Sequence, residues 1–324
     1  MLEQLAQEAQ NLTRQYFGRT MSLYAPLYLS NHCANQCVYC GFHASLDIPR
    51  RKLSEAEIDA ECQALARTGI QSVLLLTGES RKYTPPEYLA TAIKIAKEYF
   101  ASLALEVYPL ETEEYARLNA AGCDGVTLFQ ETYDQERYKI LHPAGKKRDY
   151  AYRYQAPRRI AQGGMRQITL GVLLGLADWR QDILALYAHL RSLEKEFPGV
   201  DYALSFPRLR EAYDYKEKDY LVDDADLVKI ICVTRLLFPR IGINLSTRES
   251  AAFRNRAVHF GVTKISAGSS TAVGGYALPD SETRSVQDAP QFAVNDERSL
   301  AEVKAMLGRQ GFDPVRTDWR CLAK

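Results

Sequence analysis

The sequence predicts an α/β fold: a (β/α)8 TIM-type barrel with an N-terminal helix and a C-terminal cap of loop and helix. Short apolar runs alternate with helix-like stretches from end to end, the pattern of a parallel sheet with crossover helices. There are eight such runs, enough to close the sheet on itself. No long linker, low-complexity tract or short-period repeat divides the 324 residues, so one domain over 1–324 is the simplest organisation.

In order, residues 1–20 give the N-terminal helix, and strands are expected at 22–30, 72–77, 103–108, 125–129, 167–174, 201–206, 241–246 and 262–267. A capping box, Ser54 and Glu57, opens a helix over 54–68 with Ile58, Cys62 and Leu65 on one face. Helices over 111–121 and 152–162 run into Gly122 and Gly163, residues that commonly close a helix. Asp223 caps a helix over 223–238 whose buried stripe reads Leu227, Ile230, Ile231 and Leu237. Residues 267–293, rich in Gly, Ser and Pro, read as a loop across the barrel mouth, within a cap spanning 268–324.

Composition narrows the class. Lys plus Arg number 41 against 40 Asp plus Glu, a net charge of +1, which offers nothing to nucleic acid or an anionic membrane. The first residues lack the basic start and apolar core of a secretory signal, and no apolar run approaches the roughly 20 residues that span a bilayer. A cytoplasmic protein is expected. There, seven cysteines argue for ligands and core thiols rather than a disulfide framework.

Three of those cysteines, Cys33, Cys37 and Cys40, follow the first strand run in a C-x3-C-x2-C spacing. One reading is a structural zinc site, which needs four ligands and would recruit His32 or His43. The other is a [4Fe-4S] cluster, in which three thiolates leave one iron open. Ligand count favours the cluster. Cys62, Cys123 and Cys232 have apolar surroundings and read as core packing, and Cys321 as incidental.

The remaining chemistry is expected at the C-terminal ends of the strands. Gly78 and Glu79 close the second, where a glycine admits backbone to a ligand and a carboxylate meets an ammonium, or else makes an ordinary solvated turn. Glu131 follows the fourth. Arg153 suits a carboxylate, or else is a surface residue beside Arg158 and Arg159. Gly175 closes the fifth.

The triplet with Cys40-Gly41-Phe42 resembles the signature of the radical S-adenosylmethionine (SAM) superfamily. Thr77-Gly78-Glu79 is similar to that superfamily's Gly-Gly-Glu motif with Thr77 in the first place. The resemblance implies S-adenosylmethionine on the open iron, with Phe42, Gly78, Glu79, Glu131, Arg153 and Gly175 around it and a one-electron reductant of flavodoxin or ferredoxin type. Over nearly the whole chain the sequence resembles the 2-iminoacetate synthase family, through Leu105 to Leu110, Phe129 to Tyr133, Ser205 to Arg210 and Leu245 to Ser250. That likeness implies cleavage of the Cα–Cβ bond of L-tyrosine to 2-iminoacetate and p-cresol for the thiazole of thiamine, with thiazole synthase as protein partner.

For the substrate carboxylate the expected partner is Arg248, with Ser266 and Ser269 orienting the amino group and Arg208 and Arg210 serving substrate or cofactor. Tyr24, Tyr28 and Tyr108 are candidates for an aromatic wall. The sequence departs from the family in its short N-terminal segment and at Tyr108, where the family carries glutamine. A tryptophan lyase would share the carboxylate clamp and differ in pocket shape. The related [FeFe]-hydrogenase maturase carries a further C-terminal cluster domain, whereas here the terminal segment offers Cys321 alone. The reading of a different class is a zinc-stabilised, non-catalytic barrel.

Overall fold

A computed structural model describes residues 2–209, 219–277 and 291–317. Eight parallel strands close the barrel: β1 (Thr20–Ser30), β2 (Ser72–Thr77), β3 (Ser102–Glu106), β4 (Gly125–Glu131), β5 (Gln167–Val172), β6 (Asp201–Ser205), β7 (Gly242–Leu245) and β8 (Lys264–Ser266). Closure occurs at β1, which pairs with β2 from Ala25 to Ser30 and with β8 from Ser22 to Tyr24. A ninth strand, β9 (Asp313–Val315), was not expected. It runs parallel to the start of β1, and since Ser22 pairs with both Lys264 and Val315, β9 takes the β1 edge below β2.

The strands carry two different faces because side chains alternate along them. Leu23, Ala25 and Leu27 of β1, Val73 and Leu75 of β2, and Leu103 and Leu105 of β3 are buried in the apolar core. The alternate residues line a cavity inside the barrel: Tyr24, Pro26 and Tyr28, then Glu106, Thr127, Thr169, Asn244, Lys264 and Ser266. A barrel of this kind ordinarily fills its lumen with branched aliphatic side chains. Polar inward residues leave space instead, and the cavity is that space.

Helices cover the outside. The Ser54–Glu57 capping box opens the helix Glu55–Arg67, and Ile58, Cys62 and Leu65 are buried as its pattern requires. Cys123 and Cys232 are likewise buried. Asp223 caps the helix Asp224–Leu237, where Leu227, Ile230 and Ile231 are buried but Leu237 is exposed. The 3.6-residue repeat carries the stripe from Ile231 to Thr234 and Arg235, and the Arg235 guanidinium caps the carbonyls of Pro239, Ile241 and Gly261.

The single helix expected over 152–162 is two, Tyr150–Tyr154 and Ala156–Gln162. Pro157 lacks the N–H that would bond the Arg153 carbonyl, so the chain turns at Gln155. The left-handed glycine that closes the second helix is Gly164 (φ +82°), one residue beyond Gly163. The described part of 267–293 reaches the mouth from the β1 side: Tyr276 Oη donates to the Pro26 carbonyl at 2.6 Å, and Tyr28 Oη to Gln291 Oε1 at 2.7 Å. Among the described residues, no helix is long and apolar enough to cross a membrane.

Candidate active site

The three cysteines lie in the loop that leaves β1, and Cys33, Cys37 and Cys40 all line a cavity of about 80 Å³ at the barrel mouth. Burial pushes the Cys33 thiol up to about 11 and raises Cys37 and Cys40 as well, so thiolates here require a bound cation. Among the described residues, no group of three or more His, Cys, Asp or Glu side chains converges on one metal ion, and His32 is stacked on Tyr83 at 3.8 Å. One zinc needs all its sulfurs about 2.3 Å from a single point. A cluster gives each thiolate its own iron, which suits thiols spaced around a cavity.

The neighbouring elements hold that loop. Asn35 Nδ2 donates to Glu79 Oε2 at 2.8 Å, and its Oδ1 accepts from the Lys147 amide at 3.0 Å. Gly78 is required by packing on the loop: a Cβ there would lie 2.4 Å from the His32 carbonyl oxygen. The close neighbour that sets this requirement is the backbone of the cysteine loop, and Gly78 also lines the cavity. Thr77 Oγ1, in the same wall, is buried with no hydrogen-bond partner. Phe42 is buried edge-on to Tyr28, with ring centroids 6.0 Å apart.

Behind the thiols lies a charge network. Arg153 is buried; its Nη1 meets Glu79 Oε1 at 2.9 Å and its Nε donates to the Phe129 carbonyl at 2.6 Å. It is therefore no surface arginine, unlike Arg158, which pairs with Glu196. Lys147 Nζ holds Glu131 Oε1 at 2.6 Å and lies 3.6 Å from Glu79. Burial alone would raise both carboxyls, but Arg153 and Lys147 outweigh it, keeping Glu79 at about 2 and Glu131 below the ordinary range. Glu131 reaches this position through a bulge after Phe129 and a left-handed backbone, φ +72°. Such a conformation is costly for a residue with a Cβ and is found where a site demands it.

A second cavity of about 160 Å³ fills the barrel and shares Cys40, Glu106, Glu131, Lys147 and Gln291 with the first. Arg248 and Ser266 line it. The Arg248 guanidinium lies over the Phe292 ring, 3.4 Å from its centroid, and Ser266 Oγ accepts from the Thr247 amide at 3.0 Å. Tyr24 and Tyr28 form part of the wall, where burial pushes the Tyr24 phenol up to about 12. Both therefore remain neutral donors at physiological pH.

Other expected residues lie elsewhere. Arg208 turns away from the cavity that its neighbours Pro207 and Leu209 line. Its guanidinium grips Glu249 on both nitrogens, with Asp224 at 2.8 Å, so it clamps the loops after β6 and β7. Tyr108 Oη donates to the Thr84 carbonyl at 2.8 Å and the ring stays outside both cavities. Ser269 Oγ is buried without a partner and lines neither. Gly175 (φ +110°) lets Leu174 pair with Arg208, a Cβ there meeting that of Leu209 at 2.9 Å. Arg210 and Cys321 lie outside the described residues. Asn35, Glu106, Lys147 and Gln291 escaped sequence reasoning; a carboxylate at an inward-facing strand position was the visible signal for Glu106.

Residues 27–188 match the family described as the Radical SAM superfamily, and 205–313 match the Biotin and Thiamin Synthesis associated domain. The barrel with three cysteines in the loop at its mouth belongs to that first class. The 2-iminoacetate synthase of Escherichia coli (strain K12) is 44% identical over 98% of this chain and 83% of its own length. That of Salmonella typhimurium (strain LT2) is 42% identical over the same shares. A crystal structure of HydG, a maturase of the [FeFe]-hydrogenase, superposes with a TM-score of 0.93 at 33% identity, covering 99% of this chain and 70% of that one. The chain belongs to the 2-iminoacetate synthase family of radical SAM enzymes.

Proposed function

We propose that this protein is a carbon–carbon lyase that cleaves the Cα–Cβ bond of L-tyrosine to 2-iminoacetate and p-cresol, supplying the thiazole moiety of thiamine. The observation that carries the reading is a pair of adjoining cavities with shared wall residues: three thiols line one, and an arginine with neutral phenols lines the other. In this reading Cys33, Cys37 and Cys40 hold the [4Fe-4S] cluster. Glu79, Glu131 and Arg153, which line the thiol cavity with Phe42, would surround S-adenosylmethionine. When bound and reduced by one electron, this pair supplies the radical that abstracts hydrogen from the substrate.

The chain's own residues bind and shield. Arg248 offers two parallel N–H donors to the amino-acid carboxylate, with the Ser266 hydroxyl beside it. Lys147 and Arg153 keep Glu79 and Glu131 ionised, so both remain acceptors toward ammonium and ribose hydroxyls. Tyr28 and Gln291, hydrogen-bonded to each other, line the cavity with Phe292; shielding from water matters there because an imine product hydrolyses readily. That lability suits direct handover to thiazole synthase, the protein partner in this reading; the reductant is a flavodoxin or ferredoxin.

Cluster-loaded protein, reduced anaerobically with S-adenosylmethionine and L-tyrosine, is expected to release p-cresol. A methylated indole acid from tryptophan, with no p-cresol from tyrosine, would replace the substrate and keep the class.

A further inference from the structure

Three carboxyl groups face the two adjoining cavities: Glu79, Glu106 and Glu131. Two are answered from within the protein, Glu79 by Arg153 and Asn35 and Glu131 by Lys147. Among the described residues nothing donates a hydrogen bond to Glu106. Its surroundings act through burial and through the more distant charges of Arg248, Glu131, Lys147 and Arg153.

Glu106 ends β3, with Leu76 of β2 as its cross-strand neighbour. Alternation turns Ala104 and Glu106 into the lumen while Leu103 and Leu105 pack outward. Tyr24 and Tyr28 of β1 both feel the charges of Glu106 and Arg248, so carboxyl and guanidinium flank one stretch of the cavity. An α-amino acid carries a carboxylate and an ammonium on a single carbon, and burying either without a partner is costly. A cavity with a guanidinium on one wall and an unanswered carboxyl on another accommodates that zwitterion as a unit. The serines offered by sequence reasoning fit the ammonium less well: Ser266 is engaged by Thr247, and Ser269 lines neither cavity.

We propose that Glu106 binds the α-amino group of the substrate and removes one of its protons, so that the nitrogen reacts as a free amine. The inference rests on the amino-acid lyase reading and adds the group that reading lacks. In this step one N–H bond of the ammonium breaks, its electron pair stays on nitrogen, and an O–H bond forms on the Glu106 carboxyl. The chemistry calls for such a base, because an imine carries fewer N–H bonds than the ammonium it comes from.

Burial pushes the carboxyl up to about 7 against the opposing pull of Arg248, where a group takes and releases a proton near neutrality. The groups facing it are Arg248 from the loop after β7, Glu131 at the end of β4, Lys147 and Arg153 beyond it, and Tyr24 and Tyr28 from β1.

The test pairs ligand deletion with residue deletion on cluster-loaded protein holding S-adenosylmethionine. Dissociation constants are measured for L-tyrosine and for 3-(4-hydroxyphenyl)propanoate, which lacks only the amino group, in the wild type, Glu106→Gln and Glu106→Asp. The wild type is expected to prefer tyrosine. Glu106→Gln should shrink that preference about ten- to a hundredfold, the worth of a charge-assisted hydrogen bond, with propanoate binding unchanged; Glu106→Asp should restore part of it. The acid limb of kcat/KM near neutrality should vanish in Glu106→Gln.

A preference that survives in Glu106→Gln, or both ligands weakening alike while cluster absorbance persists, would overturn the assignment. L-Tryptophan and indole-3-propanoate run in parallel separate the two claims. A Glu106-dependent preference confined to the indole pair discards tyrosine and supports Glu106, whereas no amino preference in the wild type for either pair removes Glu106 from the site.

Discussion

At the scale of single residues, the site is a set of charges whose partners decide their roles. Arg248 faces the cavity and Arg208 does not, although each follows the C-terminal end of a barrel strand. Arg248→Ala should therefore leave cluster absorbance intact and lower kcat/KM for tyrosine about ten- to a hundredfold through KM; unchanged kinetics would remove Arg248 from the substrate. Gly78→Ala places a methyl group against the His32 carbonyl and should lower the iron bound per chain, read from visible absorbance and iron assay. The sequence made the thiols, Glu79, Glu131 and Arg248 visible because motif spacing and strand ends mark them. It hid Lys147, which lies in a single 3-10 turn, Lys146–Arg148, and takes its role only through two carboxylates distant in the chain.

Elements explain both the accuracy and the gaps of the sequence reading. The eight barrel strands fall where apolar runs mark them, since each outward face packs under helices. β9 was missed because three residues with a central proline carry no periodic signal; Pro314 is tolerated at the start of β1, where the sheet has an open edge. The expected single helix over 152–162 passed over Pro157, whose break at Gln155 leaves Arg153 on a short helix of its own beside Glu79.

Between β4 and the helix Trp179–Glu196, Asp182 Oδ1 accepts from Thr132 Oγ1 and the Tyr133 amide at 2.9 and 2.7 Å. Burial nevertheless pushes its carboxyl up, from 3.8 to about 6. The folded state then holds a proton that the unfolded chain has lost, so this group's contribution falls as pH rises from about 4 to about 6, and its full cost persists above. Asp182→Asn keeps the acceptor oxygen and removes the charge. It should stabilise the protein at pH 8 by up to about 3 kcal/mol and much less at pH 4, as measured by urea unfolding; equal effects at both would show that the charge is not penalised.

At the scale of the whole molecule, the two matched families divide the chain at about residue 200, yet the hydrogen-bonded sheet crosses that point without a break, β5 pairing with β6 from Gln167 to Gly171. We propose one folding domain, which predicts a single cooperative unfolding transition with coincident near- and far-ultraviolet circular dichroism; two separated transitions would make the halves independent. The lumen shows how fold becomes function. Outward positions of the strands build stability, and inward ones, freed from core packing, supply Tyr24, Glu106, Asn244, Lys264 and Ser266 to a cavity that shares wall residues with the thiol site.

The most direct test of the central claim is the analysis of small molecules released by the reconstituted, reduced enzyme with S-adenosylmethionine and L-tyrosine in the absence of oxygen. The account predicts 5′-deoxyadenosine together with p-cresol and glyoxylate, the hydrolysis product of 2-iminoacetate. Cluster-loaded protein that yields none of the three would contradict it.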